Sequence, residues 1–290
     1  MNDFLPLPAA MVRRAREFRG EPATARPAAT VVLLRQGTPG LQVYVLRRLA
    51  AMVFGGVYAF PGGSVDPSDG PPGLRPDWPR RLGLPAQAAG AVVGAAVREI
   101  FEETGVLLAV PDGADHPVEA VEDDRTALTR RETTLSEVLA RRGLRAQDEL
   151  LGPWSRWITP EFEPRRFDTF FFVAALPAGQ APRDVSGEAD RTMWVTPAEA
   201  LAGYAAGSLS MLPPTVATLR DLAGYERVED VVAAAARREV VRPIVPRVEP
   251  TPDGGAVLRI AAPPDDGTPG AQESTGGAEP SEGQPKRPVM

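Results

Sequence analysis

Cysteine is missing altogether from this chain, and histidine occurs once, at His116. These two shortages remove disulfides, thiolate zinc sites and a cysteine nucleophile, and a Ser-His-Asp triad would have to rest on that one imidazole. His116 lies in a Pro/Gly/Asp-rich loop, Pro111 to Pro117, and reads as a surface residue. Lysine is nearly as scarce, Lys286 being the only one, which excludes Schiff-base chemistry in the folded part. No stretch has the unbroken apolar length of a membrane helix, and Met1 to Gly20 lacks the basic start and apolar run of a secretory signal. The closing residues, Arg287-Pro288-Val289-Met290, carry no address or lipidation motif, so a cytoplasmic location is expected. A formal net charge of -6 argues against a nucleic-acid binder drawn by phosphate charge. The acids and metal ligands that remain are Asp and Glu.

The 290 residues suffice for one sizeable domain with additions, and no internal repeat is visible. A short amphipathic pattern, Met11 to Phe18, is followed by two strands, Ala29 to Arg35 and Leu41 to Arg47, which suggest a hairpin. Val57 to Phe60 reads as a short strand stopped by Pro61-Gly62-Gly63, and Asp66 to Pro85 as a long loop. Ala86 to Glu103 has the strongest helical periodicity in the chain, and Val106 to Val110 reads as a strand after it. Helical character runs from Val118 to Leu151, with an N-cap at Thr134 or Ser136. Trp154 to Thr159, Phe167 to Leu176 and Thr192 to Val195 read as strands. Thr196-Pro197-Ala198-Glu199 is a helix start. Helices over Pro213 to Leu222 and Val228 to Arg238 come next, then a terminal strand pair, Val241 to Val248 with Ala256 to Ile260. Beyond Ala262 the composition is that of a disordered tail.

Three carboxylates crowd into the helix end Arg98-Glu99-Ile100-Phe101-Glu102-Glu103-Thr104-Gly105-Val106. On a helix all three project near one face, with Ile100 and Phe101 turned away. Like charges so close destabilise an isolated helix and invite a cation, and a hard divalent ion such as Mg²⁺ or Mn²⁺ takes oxygen ligands of this kind. A solvated acidic helix end is the plainer reading of the glutamates alone. Gly105 stands where a helix C-cap belongs.

A Gly-Gly turn, a long helix and this helix end, in that order, resemble the Nudix superfamily. Its box is glycine, five residues, glutamate, seven residues, then Arg-Glu-aliphatic-any-Glu-Glu-any-Gly-aliphatic. Arg98 through Val106 match every specified position of the second half. The first half departs: the sixth residue after Gly63 is Asp69 rather than glutamate. From there to Arg98 the stretch is about twenty residues longer than the box, a Pro-rich insertion centred on 70–85. Asp66 or Asp69 supplies the first box carboxylate, or nothing does. The interrupted box is similar to the branch containing the peroxisomal coenzyme A diphosphatases. So are Phe60-Pro61-Gly62-Gly63, Trp157-Ile158-Thr159-Pro160, Arg165-Arg166-Phe167-Asp168-Thr169, Phe171-Phe172-Val173-Ala174 and Leu212-Pro213-Pro214-Thr215. The similarity spans most of residues 28–260.

The resemblance implies an α+β fold, a Nudix-type α/β/α sandwich with a central mixed β-sheet. The domain is expected over residues 28–262, with the insertion at about 66–86, an N-terminal extension over 1–27 and the disordered tail over 263–290. It implies an Mg²⁺- or Mn²⁺-dependent hydrolase that cleaves a diphosphate in a nucleotide-type small molecule. Coenzyme A or acyl-CoA comes first, with ADP-ribose, NADH or a dinucleotide as alternatives; a non-catalytic Nudix-fold binding module is the reading from another class. Glu99, Glu102 and Glu103 are the implied metal ligands, Glu102 sharing ligation or base duty, while Arg98 orients one of the glutamates by a charge-assisted pair. Gly62 and Gly63 permit the turn that brings the loop, with Asp66 and Asp69, against the helix. Glu188, six residues before Trp194, is a candidate base. Arg165 and Arg166 pair with phosphates or flank a strand, and Trp154, Trp157 and Phe170 to Phe172 read as core. No nucleic acid or membrane partner is expected; the insert either covers the site or forms a homodimer contact.

Overall fold

The computed structural model describes residues 3–6, 9–49, 55–113, 118, 121–183, 187, 189–251 and 256–260, with the backbone alone at 3–6, 9–10 and 250. His116, Glu188 and the tail 263–290 lie outside the described residues. The elements begin with β1 (Asp3–Pro6), α1 (Ala9–Glu17), β2 (Arg26–Gln36), β3 (Leu41–Arg48), β4 (Tyr58–Ala59) and β5 (Gly62–Ser64). Next come α2 (Trp78–Leu82), α3 (Ala86–Thr104), β6 (Ala109–Pro111), α4 (Glu122–Thr129), α5 (Leu135–Arg142) and β7 (Leu144–Ala146). The chain continues with β8 (Gly152–Ile158), β9 (Phe167–Ala175), β10 (Ala189–Val195), α6 (Pro197–Ala205), α7 (Pro213–Leu222), α8 (Val228–Ala236), β11 (Arg247–Pro250) and β12 (Ala256–Ile260).

The apolar runs of β2 and β9 make the centre of a seven-stranded sheet of path β10-β3-β2-β9-β8, with β4 on β3 and β5 on β2. β2 and β9 lie parallel, Arg26 opposite Phe167 through Leu34 opposite Ala175. The other pairings are antiparallel, so the sheet is mixed as expected. Side chains alternate across it. β2 sends Ala29, Val31 and Leu33 to one face and Val32 and Leu34 to the other; β9 divides Phe170, Phe172 and Ala174 from Phe171 and Val173. Val92, Val93, Ala96, Val97 and Ile100 of α3 cover the first face, with residues of α2, α4 and α5. Ala200, Val216, Leu219, Val231 and Ala235, from α6, α7 and α8, cover the second. Helices on both faces complete the α/β/α sandwich. Trp154, Trp157 and Phe170 to Phe172 are all buried, as expected of core residues, but Trp157 and Phe171 also line a cleft. Thr134 and Thr196 each form a reciprocal capping box, with Glu137 and Glu199.

Three local expectations are corrected. The insertion is not all loop: it contains α2, whose Trp78 is fully buried beneath α3 and edge-on to Phe172. Val106 to Leu108 are buried but do not form a strand, because the Gln180 side chain accepts from the Leu107 N–H and donates to the Leu107 carbonyl; the strand begins only at Ala109. In the terminal pair the first strand is Arg247–Pro250, because the segment before it is taken up by β8: Ile244 donates to Arg156 O and accepts from the Ile158 N–H. A third partner joins them: β1, from the segment read as an extension, pairs with β12 to make a three-stranded sheet.

The insertion is pinned at its far end by Asp148, which is buried and accepts from the Trp78 indole N–H and, at 2.9 Å, from the Arg75 backbone N–H. Asp148→Ala would leave two donors without an acceptor in the interior. It is expected to cost roughly 2–4 kcal/mol, read as a lowered urea midpoint at unchanged m-value.

Candidate active site

The turn that ends β4 brings Gly62 and Gly63 across α3, and a side chain at either position would meet neighbouring atoms. A Cβ on Gly62 would lie 2.4 Å from the Ala29 carbonyl oxygen and 2.7 Å from Thr30 Cα, so the sheet backbone itself closes that space. A Cβ on Gly63 would lie 2.4 Å from Glu99 Oε1. The first glycine is required by the sheet and the second by the acidic helix. Gly62 also donates its backbone N–H to Glu103 Oε2 at 2.8 Å, fixing the turn to the last turn of α3. The helix stops at Gly105, φ 73°, whose N–H returns to Phe101 O at 2.8 Å.

Arg98 organises the carboxylates. Its Nε and Nη2 reach Asp69 at 2.7 and 2.9 Å, a bidentate pair. Nη2 also donates to the Ser64 carbonyl at 2.9 Å, and Nη1 to Glu99 Oε1 at 2.8 Å and Glu102 Oε2 at 3.3 Å. Burial works against the charge on Arg98, but the bonds to Asp69 and the fields of Glu99, Asp69 and Glu102 outweigh it and raise its pKa. Burial pushes the Glu99 carboxyl up to about 7, with Arg98 pulling the other way and Glu102 adding to the rise. Burial raises Glu102 as well, again against Arg98. Arg98 thus offsets, without cancelling, the effect of burial on Glu99 and Glu102.

Gly62, Gly63, Asp66, Arg98, Glu99 and Glu102 all line one cleft of about 620 Å³. The structure separates the two aspartates before the insertion. Asp69 is 1% exposed and is the counter-ion of Arg98, so the sixth residue after Gly63 meets the box arginine despite the intervening insert. Asp66 faces the cleft, where its Oδ1 accepts from the Ser68 N–H and hydroxyl at 2.9 and 2.7 Å; these bonds hold it below the usual carboxylate range. Glu103 is buried behind the Gly62 turn, and Glu188 lies outside the described residues. Arg166 is bonded to the Thr159 and Ala23 carbonyls, the strand-flanking role. Sequence reasoning did not find Arg48, Arg131, Met11 or Glu163, which also line the cleft. Arg131, with φ 58°, approaches Asp66 at 3.4 Å from the turn after α4. None of these four lies in a recognisable motif.

The donor set fits a hard divalent ion. It offers carboxylate oxygens on one helix face, in a chain without cysteine, and burial leaves those carboxylates short of positive charge. Among the described residues no three acidic side chains already converge as a cage, because Glu99 and Glu102 are bonded to Arg98 and Glu103 to Gly62.

The family model described as the NUDT19 Nudix domain matches residues 79–222. A Caenorhabditis elegans protein provisionally named nudix hydrolase 7 is 30% identical over 226 residues, covering 77% of this chain and 68% of that one. The acyl-coenzyme A diphosphatase NUDT19 of Xenopus laevis is 26% identical over 273 residues, covering 77% of this chain and 70% of its own. Among solved structures, a NUDIX hydrolase from Alicyclobacillus acidocaldarius superposes with a TM-score of 0.63 at 29% identity, over 76% of this chain and 99% of that one. A mixed-sheet sandwich that carries an acidic helix end and a Gly-Gly turn into a cleft is the framework of a hydrolase that works with a divalent ion. The chain belongs to the Nudix hydrolase family, in the branch of NUDT19.

The two glycines are expected to fail differently. Gly62→Ala meets backbone and should cost roughly 1–3 kcal/mol in denaturant unfolding. Gly63→Ala meets only the end of the Glu99 side chain, so its unfolding midpoint should stay close to wild type while hydrolytic kcat falls about tenfold or more.

Proposed function

We propose that the protein hydrolyses the diphosphate of coenzyme A or an acyl-CoA in the cytoplasm, with Mg²⁺ or Mn²⁺ held by Glu99, Glu102 and Glu103. The observation that carries this reading is the continuity of the carboxylate cluster with a long cleft of largely apolar wall. Relatives named acyl-coenzyme A diphosphatase support it. When bound, the ion offsets the diphosphate charge and polarises the attacked phosphoryl group. Glu102, at the cleft surface and raised by burial, accepts a proton from the attacking water. The water oxygen bonds to phosphorus, the anhydride P–O bond breaks, and coenzyme A yields 4′-phosphopantetheine and adenosine 3′,5′-bisphosphate. Arg98 is committed to Asp69 and Ser64, so it aims Glu99 and Glu102 and does not grip the substrate. Glu188 is a second candidate for the base.

Hydrolysis of coenzyme A, ADP-ribose, NADH and a dinucleotide, each with Mg²⁺ and with Mn²⁺, tests the substrate. Release of 4′-phosphopantetheine faster than any other product is expected; no cleavage of coenzyme A alongside turnover of another diphosphate would remove the reading. Chelation with EDTA should abolish turnover, and Glu102→Gln should lower kcat roughly a hundredfold or more. Unchanged turnover in Glu102→Gln would show the assignment of this cluster to be wrong.

A further inference from the structure

The cleft floor crosses strands, and the register gives its direction. Gly63 on β5 stands opposite Ala29 on β2; the neighbouring Ala28 stands opposite Thr169 on β9, and Thr169 opposite Trp157 on β8. Ala28, Thr30, Thr169, Phe171 and Trp157 all line the cleft. Three inter-strand steps therefore separate the Gly63 end from the Trp157 end, about 14 Å. Glu99 sits against Gly63, so the α3 carboxylates stand at that end.

The Trp157 end is where α1 lies: Arg14 of α1 bonds Glu163, whose N–H returns to Pro160 O just after β8. Met11 of α1 and Leu258 of β12 line the cleft, as do Trp157, Ile158 and Phe167. β12 is held there by pairing with β1 and β11. Helix α1 is held by Arg14, one turn from Met11 and so on the same face, which donates to Glu163 Oε1 at 3.3 and 2.9 Å. Glu163 also lines the cleft, and its side chain is 5% exposed. Displacing α1 would strip Glu163 of its partner cation, so the ion pair helps to keep the helix seated. With Glu163 paired to Arg14, the surface at this end is aromatic and aliphatic apart from the Thr159 and Thr169 side chains. Phosphates and a ribose have no use for such a surface; an aliphatic chain does.

We propose that this α1-covered chamber binds the acyl chain of a coenzyme A thioester, with Met11 setting the length of chain accepted. The inference rests on the coenzyme A reading above and adds a place and a gate to it. The test is the dependence of kcat/KM on acyl length for free, acetyl-, octanoyl- and palmitoyl-coenzyme A in the full chain. Met11→Trp fills the chamber and should lower the octanoyl-to-free ratio about tenfold. Met11→Ala enlarges it and should move the preference toward the longer chains. If both variants retain the wild-type melting temperature and the ratios of wild type, α1 does not gate the substrate and the inference falls. A wild-type enzyme that turns over ADP-ribose or NADH but no form of coenzyme A would instead bring down the underlying reading, and this one with it.

Discussion

The Arg98–Asp69 ion pair is the constraint on which the site depends. A buried guanidinium is costly unless its donors are met, and here all of them are directed: two to Asp69, one shared with the Ser64 carbonyl, and one fork to Glu99 and Glu102. Asp69 in turn accepts from the Asp66 backbone N–H at 2.8 Å, so the loop after the glycine turn is fastened to the same point. The insertion then lies flat on α3. A Cβ on Gly94 would stand 2.8 Å from the Asp69 carbonyl oxygen and 2.7 Å from Pro71 Cδ, an approach that only glycine permits. Lengthening a closed loop adds little entropy cost, about 0.6 kcal/mol per doubling, so an insert between Asp69 and Arg98 leaves their meeting intact.

Much of this was legible in the residues because it is local. The helix from Ala86, the alternation in β2 and β9, the caps at Thr134 and Thr196 and the match from Arg98 to Val106 each depend on neighbours in the chain. What was not legible depends on partners far away. Asp69 could not be told from Asp66 without seeing which of them Arg98 reaches. The Pro-rich insertion read as loop because Trp78–Leu82 is too short to show a period, and its helix is held by Asp148, distant in sequence. β1 carries no strand signal strong enough to announce its pairing with β12, and Arg14 gives no sign of its bond to Glu163. The acidic cluster was therefore evident, and the walls of the cleft around it were not.

The sheet register explains why one cleft joins two kinds of surface. Residues on the face covered by α6, α7 and α8 form the floor, whereas the carboxylates come from α3 on the opposite face. They meet where β5 pairs with β2, where the absence of a Cβ on Gly63 leaves room for the Glu99 carboxylate. Moving across β9 to β8, the floor passes from glycine and threonine to phenylalanine and tryptophan. A substrate lying in it would be charged at one end and apolar at the other. That polarity comes from strand order and does not require a separate binding domain.

Burial also accounts for the need for a cation. Ile100 and Phe101 are fully buried in the core below α3, and their packing fixes the helix so closely to the sheet that Glu99 and Glu103 on the adjoining face are themselves largely hidden from water. In water three glutamates would simply be ionised; here Glu99 is pushed up to about 7, and Arg98 cannot neutralise the cluster while it is also bound by Asp69. A second positive charge would favour the ionised form of Glu99 and Glu102, and it is the kind of charge that also draws a diphosphate. The packing that stabilises the helix thus also buries the carboxylates, so loosening the helix on the sheet would relieve the burial that raises Glu99.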